Sequence, residues 1–321
     1  MHVLMIEHYT PESPYADKLA RGLAAHAVEL NLLSKRGSPP RPASGISVKP
    51  VFPSHGAGSR ASKLFEYCVA YMLLVWKLAL GHHDLVHVQS MRLPAVEWLP
   101  YAAFSWRRPI VVTVHNVLPH EETRLGRMAY GSLYRHACLL ICHTQSTIAS
   151  LSSTFGEWLP PIALIPHPGY DDIQPANGDK TAYRNKLSIS GDPVLLFFGL
   201  LRRYKALDFM LEVLRGLLPR LPNVTLVVAG KAPDKALVRE YKALADRLGV
   251  GGAVRFDIRH ISDRELETYF GASDAVVLPY DKIDQSGVLL LACSFGRPVF
   301  ASDVGGLGDV VLPGKTGALF R

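Results

Sequence analysis

Short apolar runs alternate with stretches of helical periodicity along the first half of the chain. The runs are rich in Val, Ile and Leu, which is typical of strands buried in a parallel sheet. They fall at residues 3–6, 28–33, 46–50, 84–88, 110–114, 139–142 and 163–165. The stretches between them predict helices at 16–26, 61–80, 94–105, 122–137 and 145–154. This alternation indicates an α/β fold.

The segment PHPGYDDIQPANGDK, residues 166–180, interrupts this alternation. Its Pro, Gly and Asp content is typical of a connection between domains. The strand pattern then begins again, with apolar runs at 194–198, 224–229, 254–256, 275–278, 298–301 and 318–320. We therefore predict two α/β domains, residues 1–168 and 169–321.

The most apolar helix, predicted at 61–80, has only ten residues between Glu66 and Lys77. Because a bilayer span needs about 20 apolar residues, this helix is not predicted to cross a membrane. We expect a mostly buried helix; the alternative is a helix that lies against a membrane surface. The four cysteines form no C-x-x-C pair and lie in apolar sequence, which favours reduced core residues. The N-terminus lacks the pattern of a signal peptide, so we expect a cytoplasmic protein.

Positive charge is concentrated in one segment. Residues 31–120 contain ten lysines and arginines against three acidic residues, so this segment alone equals the net charge of +7 of the whole chain. Basic surfaces attract nucleic acid, anionic lipid or phosphorylated substrates. No nucleic-acid-binding motif accompanies the charge, so we predict no nucleic-acid partner.

Loops after the strands of the second half carry candidate anion-binding groups. The loop FFGLLRRYKALD contains Gly199, Arg202 and Lys205, and Gly230 follows the next strand. Ligands bind at the carboxyl ends of strands in such sheets, and clustered Arg and Lys suit a polyphosphate. A later helix begins at Gln285–Gly287, where free backbone N–H groups favour an anion. Ser286 alone would equally suit a helix cap.

Several motifs together resemble family 4 glycosyltransferases, which have the GT-B fold. In the second half these are FFGLLRRYKALDFMLEVL, LVVAGKAP, DAVVLPY, QSGVLLLACSFGRPVFASDVGGLGDVV and GKTGALF. In the first half, PESPYADKLARGLA resembles the opening loop and helix of the family, and VVTVHNVLPHE resembles its histidine-bearing loop. The resemblance implies two Rossmann-like, doubly wound domains that face a cleft. Residues 1–168 would bind the acceptor and residues 169–321 the nucleotide-sugar donor.

The resemblance also implies roles for individual residues. His115 would lie beside the donor sugar at the reacting centre. The donor diphosphate would contact Gly199, Arg202, Lys205, Ser286 and Gly287. The remaining donor or acceptor pocket would include Asn116, His120, Glu121, Gly230, Gln285 and Asp309. The donor would be a nucleotide diphosphate sugar, and the reaction would use no cofactor and no metal. Most of the family retains the anomeric configuration of the donor, so the resemblance implies retention.

Two departures from the family pattern stand out. Family members commonly carry two glutamates eight residues apart where this chain has Ile283 and Leu291. This leaves the donor sugar and the stereochemical course open. The chain also stops just after a strand, at Arg321, where family members continue with helices. We therefore expect an incomplete second domain.

Other functions fit the same residues less well. A dehydrogenase is disfavoured because no G-x-G-x-x-G follows the first strand, and His82, His83 and His87 have no cysteine or carboxylate cluster to complete a zinc site. A nucleotide-sugar epimerase and an inactive, partner-binding relative remain alternatives. For the glycosyltransferase we predict a lipid-linked or polysaccharide-precursor acceptor of exopolysaccharide or cell-envelope biosynthesis. The basic segment and the apolar helix predict a peripheral position on an anionic membrane surface.

Overall fold

The protein is described by a computed structural model that covers residues 1–8, 14–36, 44–53, 59–118, 123–156, 158–170 and 178–321. Predicted site residues His120 and Glu121 lie outside the described residues. The chain divides into two compact units, Met1–Pro168 and Gly169–Arg321, which are here called unit 1 and unit 2.

Unit 1 is a parallel sheet with helices between its strands. The strands are β1 (His2–Ile6), β2 (Glu29–Lys35), β3 (Ile46–Phe52), β4 (Leu85–Val88), β5 (Ile110–Val114), β6 (Leu139–Cys142) and β7 (Ile162–Leu164). The helices are α1 (Pro14–Ala25), α2 (Arg60–Leu80), α3 (Pro94–Phe104), α4 (Arg124–His136) and α5 (Gln145–Phe155). The strand order is β3-β2-β1-β4-β5-β6-β7, so the sheet extends outward in both directions from β1.

Unit 2 repeats this plan. Its strands are β8 (Val194–Phe198), β9 (Thr225–Ala229), β10 (Val254–Asp257), β11 (Ala275–Leu278), β12 (Val299–Ser302) and β13 (Gly317–Phe320). Its α-helices are α6 (Lys180–Lys186), α7 (Leu207–Leu217), α8 (Lys235–Arg247), α9 (Asp263–Ala272), α10 (Gly287–Ser294) and α11 (Leu307–Val310). The strand order is β10-β9-β8-β11-β12-β13, all in parallel.

Burial on both faces of each sheet explains the apolar strands. All five residues of β5 are buried. In β8 the adjacent residues Phe197 and Phe198 belong to separate core clusters, because successive side chains of a strand point to opposite faces. Helices therefore cover both faces of the sheet of unit 2, and the predicted doubly wound α/β fold is confirmed.

Helix α2 differs from the prediction of a mostly buried helix. Ala70, Leu74 and Leu78 are buried against the sheet, but the opposite stripe is open to solvent and is also apolar. Among the described residues, no helix is long and apolar enough to cross a membrane. The cysteine prediction was also wrong in part, because only Cys142 is buried; the other three cysteines are exposed.

Candidate functional site

The loop after β8 in unit 2 brings a glycine, a lysine and a helix start together. Gly199 has φ +101°, a conformation that L side chains rarely adopt. A Cβ on this residue would lie 3.0 Å from Lys205 Nζ and 3.2 Å from Val288 Cγ2, in the first turn of α10. The glycine therefore allows the β8 loop, the lysine and α10 to meet at the carboxyl end of the sheet.

Lys205 is buried beside this contact. Its Nζ donates to the carbonyl of Phe198 (3.3 Å) and lies 5.2 Å from the centroid of the Tyr280 ring. Burial lowers the pKa of Lys205 to about 8, because a charged amine loses hydration there. An anion placed next to Nζ would restore favourable interactions for the protonated form.

The start of α10 forms the other side of this site. Ser286 Oγ accepts from Leu289 N–H (3.3 Å), so the serine caps its own helix, as one of the two interpretations predicted. Gly287 is the first helical residue, and a Cβ on it would lie 3.1 Å from Tyr170 Oη. Because Ser286 satisfies the N–H of Leu289, the earlier N–H groups of the first turn remain to bind a ligand.

Two further glycines allow close contacts between loops. A Cβ on Gly230 would lie 2.0 Å from the carbonyl oxygen of Gly199, so the loops after β8 and β9 pack backbone to backbone. A Cβ on Gly305 would lie 1.5 Å from the carbonyl oxygen of Ile283. Gly230 was predicted to line the donor or acceptor pocket. In the structure, the backbone contact between the loops after β8 and β9 accounts for a glycine at this position.

The other predicted donor residues of unit 2 are less enclosed. Arg202 is exposed, and within the part of the chain that the structure describes its guanidinium forms no ion pair. The adjacent Arg203 forms an ion pair with Glu240 (2.8 Å). Gln285 is half-buried just before the helix start, and Asp309 is exposed on α11. Among these residues, Arg202 is the cation available to a ligand in solvent.

Unit 1 places His115 directly after β5, as the sequence predicted. Its Nε2 donates to Gln89 Oε1 (3.1 Å), while Gln89 Nε2 donates to Nε2 of the buried His87 (3.0 Å). His87 Nε2 also lies 2.8 Å from Thr113 Oγ1. Because His115 donates from Nε2, the neutral ring carries its lone pair on Nδ1.

Aromatic and histidine rings surround His115. The ring of Tyr15 lies edge-on at 4.9 Å between centroids, and His143 lies at 5.5 Å. Tyr15 also contacts His143 and His167. Burial, followed by the nearby histidines, lowers the pKa of His115 to about 3, and burial lowers that of His143 to about 4. Both rings are therefore neutral near pH 7.

A pocket of about 600 Å³ opens beside His115 within unit 1. Polar groups from the ends of β1, β4 and β5 line it, including Glu7, Ser90, Arg92 and Asn116. Ser90 Oγ donates to Glu7 Oε1 (3.0 Å), and Arg92 Nη1 donates to the carbonyl of Pro53 (2.7 Å). The pocket thus has hydrogen-bonding groups suited to hydroxyls, together with the carboxyl group of Glu7 and the guanidinium of Arg92. Among the described residues, no group of three or more His, Cys, Asp or Glu could hold a metal ion.

Comparison with known proteins accounts for both units. The model of the Glycosyltransferase Family 4 matches residues 13–169, and that of the Glycosyl transferases group 1 matches residues 179–321. The chain belongs to the family 4 glycosyltransferases. The predicted family, the GT-B fold and the class of enzyme are thereby confirmed.

Relatives and solved structures agree with this assignment. The glycosyltransferase is 28% identical over 335 residues to D-inositol 3-phosphate glycosyltransferase of Streptomyces scabiei, covering 96% of this chain and 74% of the relative. HepE of Anabaena, solved with UDP and glucose, matches with a TM-score of 0.75 at 19% identity over 100% of this chain and 86% of that one. WaaG, a glycosyltransferase involved in lipopolysaccharide biosynthesis, matches with a TM-score of 0.70 at 19% identity, with coverage of 100% and 86%.

Some residues near these sites were missed by the sequence analysis of the glycosyltransferase. Tyr15, Gln89, His143 and His167 all lie close to His115, although their positions in the sequence are far apart. Tyr280 is buried, and its ring faces the ammonium of Lys205. Apart from their places after predicted strands, nothing in the sequence distinguished His143 and Tyr280 from core residues.

The two positions that lack the family glutamates are explained by packing. The side chains of Ile283 and Leu291 are partly buried and pack against the core cluster that contains Leu278 and Leu289. A carboxylate at either position would lose this apolar contact. The apolar residues therefore contribute to the core of unit 2.

Proposed function

We propose that the glycosyltransferase binds the diphosphate of a nucleotide sugar in unit 2, at the site formed by Gly199, Lys205 and the start of α10. The observation that carries this proposal is the convergence of the buried ammonium of Lys205 and the first turn of α10 on one glycine. HepE has been solved in complex with UDP and with UDP-glucose, which supports a nucleotide-sugar donor.

The proposed reaction places developing negative charge at this site. The acceptor oxygen bonds to the anomeric carbon while the bond from that carbon to the β-phosphate oxygen breaks, and the proton of the acceptor hydroxyl passes to the departing phosphate oxygen. Lys205, Arg202 and the N–H groups of α10 stabilise the charge on the departing diphosphate without rearranging. A charge-assisted hydrogen bond contributes about 1.5–3 kcal/mol, so these groups can replace a metal ion and no cofactor is needed.

His115 has a different role in this proposal. A neutral imidazole with a fixed tautomer suits hydrogen bonding to a sugar hydroxyl, and the ring lines the polar pocket of unit 1. We assign the acceptor to that pocket, with Asn116 as a hydrogen-bonding group. We further propose retention of the anomeric configuration, as in most of the family.

For the acceptor we propose a lipid-linked or polysaccharide precursor of the cell envelope, used at the cytoplasmic face of the membrane. The positive charge of residues 31–120 and the similarity to WaaG support this choice. A second candidate is a small phosphorylated polyol. It is favoured by the alignment of 96% of the chain with D-inositol 3-phosphate glycosyltransferase.

Mass spectrometry of products tests these proposals. The protein is incubated with UDP-, GDP- and ADP-sugars, first with no acceptor, then with inositol phosphate and with an extract of bacterial lipid-linked saccharides. A product heavier than a lipid acceptor by one sugar supports the first proposal, and glycosylated inositol phosphate supports the second. An epimerised donor, or binding without turnover of any donor, would contradict both, and NMR of the new linkage reports its configuration.

A further inference from the structure

The outer surface of unit 1 carries an unusual apolar stripe on helix α2. Phe65, Met72, Trp76 and Leu80 recur at intervals of seven and four residues and therefore share one face. All four are more than half exposed, from 52% for Trp76 to 70% for Phe65. A helix of a globular protein normally presents polar residues to water, whereas α2 is apolar on its exposed stripe as well as on its buried face.

The neighbouring helices extend this apolar surface. Connections from β3 to β4, β4 to β5 and β5 to β6 all advance in the same direction across the sheet. Right-handed crossovers therefore place α2, α3 and α4 on the same face of the sheet, and α3 contacts both of the others. Exposed apolar residues that extend the surface beyond α2 include Leu99, Trp106 and Met128.

The charges on this face are almost entirely positive. Its helices and the turn after α3, residues 60–80, 94–108 and 124–136, contain only two acidic residues, and both are engaged. Glu97 is buried and accepts from the backbone N–H of Arg92, and Glu66 lies 3.7 Å from Arg36. The lysines and arginines of the same segments include Lys63, Lys77, Arg107, Arg108, Arg124, Arg127 and Arg135.

Both exposed tryptophans of this face stand next to a cation. Lys77 Nζ lies 5.2 Å from the ring of Trp76, and the Arg107 guanidinium lies 5.5 Å from the ring of Trp106. Tryptophan beside Lys or Arg is the combination enriched where proteins meet the headgroup region of a bilayer, because the ring enters the apolar boundary while the cation meets phosphate.

We propose that the outer face of α2, α3 and α4 docks on an anionic lipid bilayer. A second copy of the chain would bring the same positive face against itself, which is repulsive. Nucleic acid would match the charge but would leave the exposed Phe, Met and Leu side chains in water. A bilayer with anionic headgroups satisfies both features. The inference builds on the proposed membrane-linked acceptor, but lipid binding needs neither donor nor acceptor, so the two proposals can fail separately.

Flotation with vesicles tests the docking face on the full chain without substrates. Vesicles of phosphatidylcholine alone are compared with vesicles that contain about 40% phosphatidylglycerol, where each cation near the surface contributes about 1 kcal/mol of attraction. We expect binding to the anionic vesicles and at least tenfold weaker binding to the neutral ones. Absence of binding to anionic vesicles at low salt would overturn the proposal.

Two sets of variants separate apolar insertion from adsorption by charge alone. Replacing Met72, Trp76 and Trp106 by Ser should weaken vesicle binding by at least tenfold. The control variant is Leu312→Ser, because Leu312 is an exposed apolar residue of unit 2. Replacing Lys63, Arg107 and Arg124 by Gln should weaken binding on the order of a hundredfold. The control for charge replaces Arg215, Arg220 and Arg239 of unit 2 by Gln. Equal losses in both charge variants would contradict a specific face.

A fluorophore tests docking without replacing the apolar or basic residues of the face. Cys68 is exposed on α2 between Phe65 and Met72, and Cys293 is exposed in unit 2. In single-cysteine proteins, a polarity-sensitive dye on Cys68 should shift to shorter wavelength with anionic vesicles, while a dye on Cys293 should not. An unchanged Cys68 signal on bound vesicles would overturn docking through this face. A dimer in light scattering that the Ser variant dissociates would assign the face to a second copy instead.

Discussion

The carboxyl ends of the two sheets have the same topology but different chemistry. In unit 2, glycines at the strand ends bring backbone, Lys205 and the start of α10 together. In unit 1, the equivalent ends carry His87, Gln89, His115 and the ring of Tyr15. The first arrangement offers positive charge and N–H groups, whereas the second offers neutral hydrogen-bonding groups. The same scaffold therefore suits a charged ligand in one unit and a hydroxylated ligand in the other.

The pKa values express this difference. Lys205, with a pKa of about 8, is mostly protonated at pH 7, whereas His115, with a pKa of about 3, is neutral there. Burial favours the neutral form of both groups, but lysine begins from a much higher value. We therefore expect residues of unit 2 to bind the anion and residues of unit 1 to position sugar hydroxyls.

Blocking the start of α10 should have the largest effect. In Gly287→Val, the new side chain occupies the space of a phosphate near the N–H groups and meets Tyr170 Oη. Calorimetric titration with UDP, GDP and ADP should show that binding is lost. Gly216→Val is the matched control, because a Cβ on this exposed glycine of α7 has no atom within 4 Å. Normal diphosphate binding by folded Gly287→Val would refute the phosphate site.

Removing the imidazole of unit 1 should affect turnover and spare diphosphate binding. His115→Ala is expected to lower kcat by roughly 10²- to 10⁴-fold, as for a positioned catalytic group. Diphosphate affinity should change by less than about threefold. Because the ring is neutral, we also expect no loss of rate from titration of His115 between pH 6 and 8. A large loss of diphosphate affinity with normal turnover would instead place His115 among the residues that bind the diphosphate.

The tautomer of His115 gives a sharper test of how unit 1 positions the imidazole. Gln89→Met removes the acceptor for Nε2–H and should lower kcat by about tenfold, the value of one hydrogen bond. Nitrogen NMR of the labelled ring should then show a mixture of tautomers. Gln89→Glu keeps an acceptor oxygen and should preserve the tautomer. An unchanged ring spectrum in Gln89→Met would show that Gln89 does not position the imidazole.

The smallest expected effect concerns the helix cap. Ser286→Ala removes the acceptor for Leu289 N–H and should lower the free energy of unfolding by about 1 kcal/mol. Denaturant unfolding measures this change. Since the hydroxyl already serves the cap, diphosphate affinity should fall by less than about tenfold. A complete loss of affinity with unchanged stability would assign the hydroxyl to the ligand.

Continuous apolar strands were the part of the fold that sequence predicted best. The bounds of β5, β6, β8 and β11 agree with the prediction, because each is a short apolar run between polar residues. Helix α6, which begins at the last residue of the segment rich in Pro, Gly and Asp, was missed. Its Tyr183 is buried, and a Cβ on Gly271 of α9 would lie 2.5 Å from that ring. This helix therefore depends on a contact between residues far apart in the sequence.

The candidate sites were predictable only where a motif coincides with a strand end. Gly199, Lys205 and Ser286 follow this rule, but the partners of His115 come from three other strand ends and from the first turn of α1. Spacing along the chain does not reveal which side chains such loops bring together. The sequence favoured a mostly buried α2 and left a surface-lying helix as the alternative, because α2 is apolar on nearly every side and composition does not show which face the sheet covers.

The most direct test of the central claim is the pH dependence of diphosphate binding. Phosphates complete their ionisation near pH 6, so above pH 7 the titrating group is Lys205. An anion binds the protonated lysine, so affinity should fall with rising pH, approaching tenfold per unit above pH 8. The unfolded chain holds this proton more tightly, with a pKa of about 10.4, so deprotonation favours the folded state between pH 8 and 10 and unfolding does not explain the loss.

Calorimetric titration from pH 7 to 9.5 should show this decline for the parent protein and a lower, nearly constant affinity for Lys205→Met. Binding of the bare nucleoside should be similar in both proteins, because it carries no phosphate. Equal pH dependence in parent and Lys205→Met would contradict the account, since the buried ammonium of unit 2 would then have no part in holding the diphosphate.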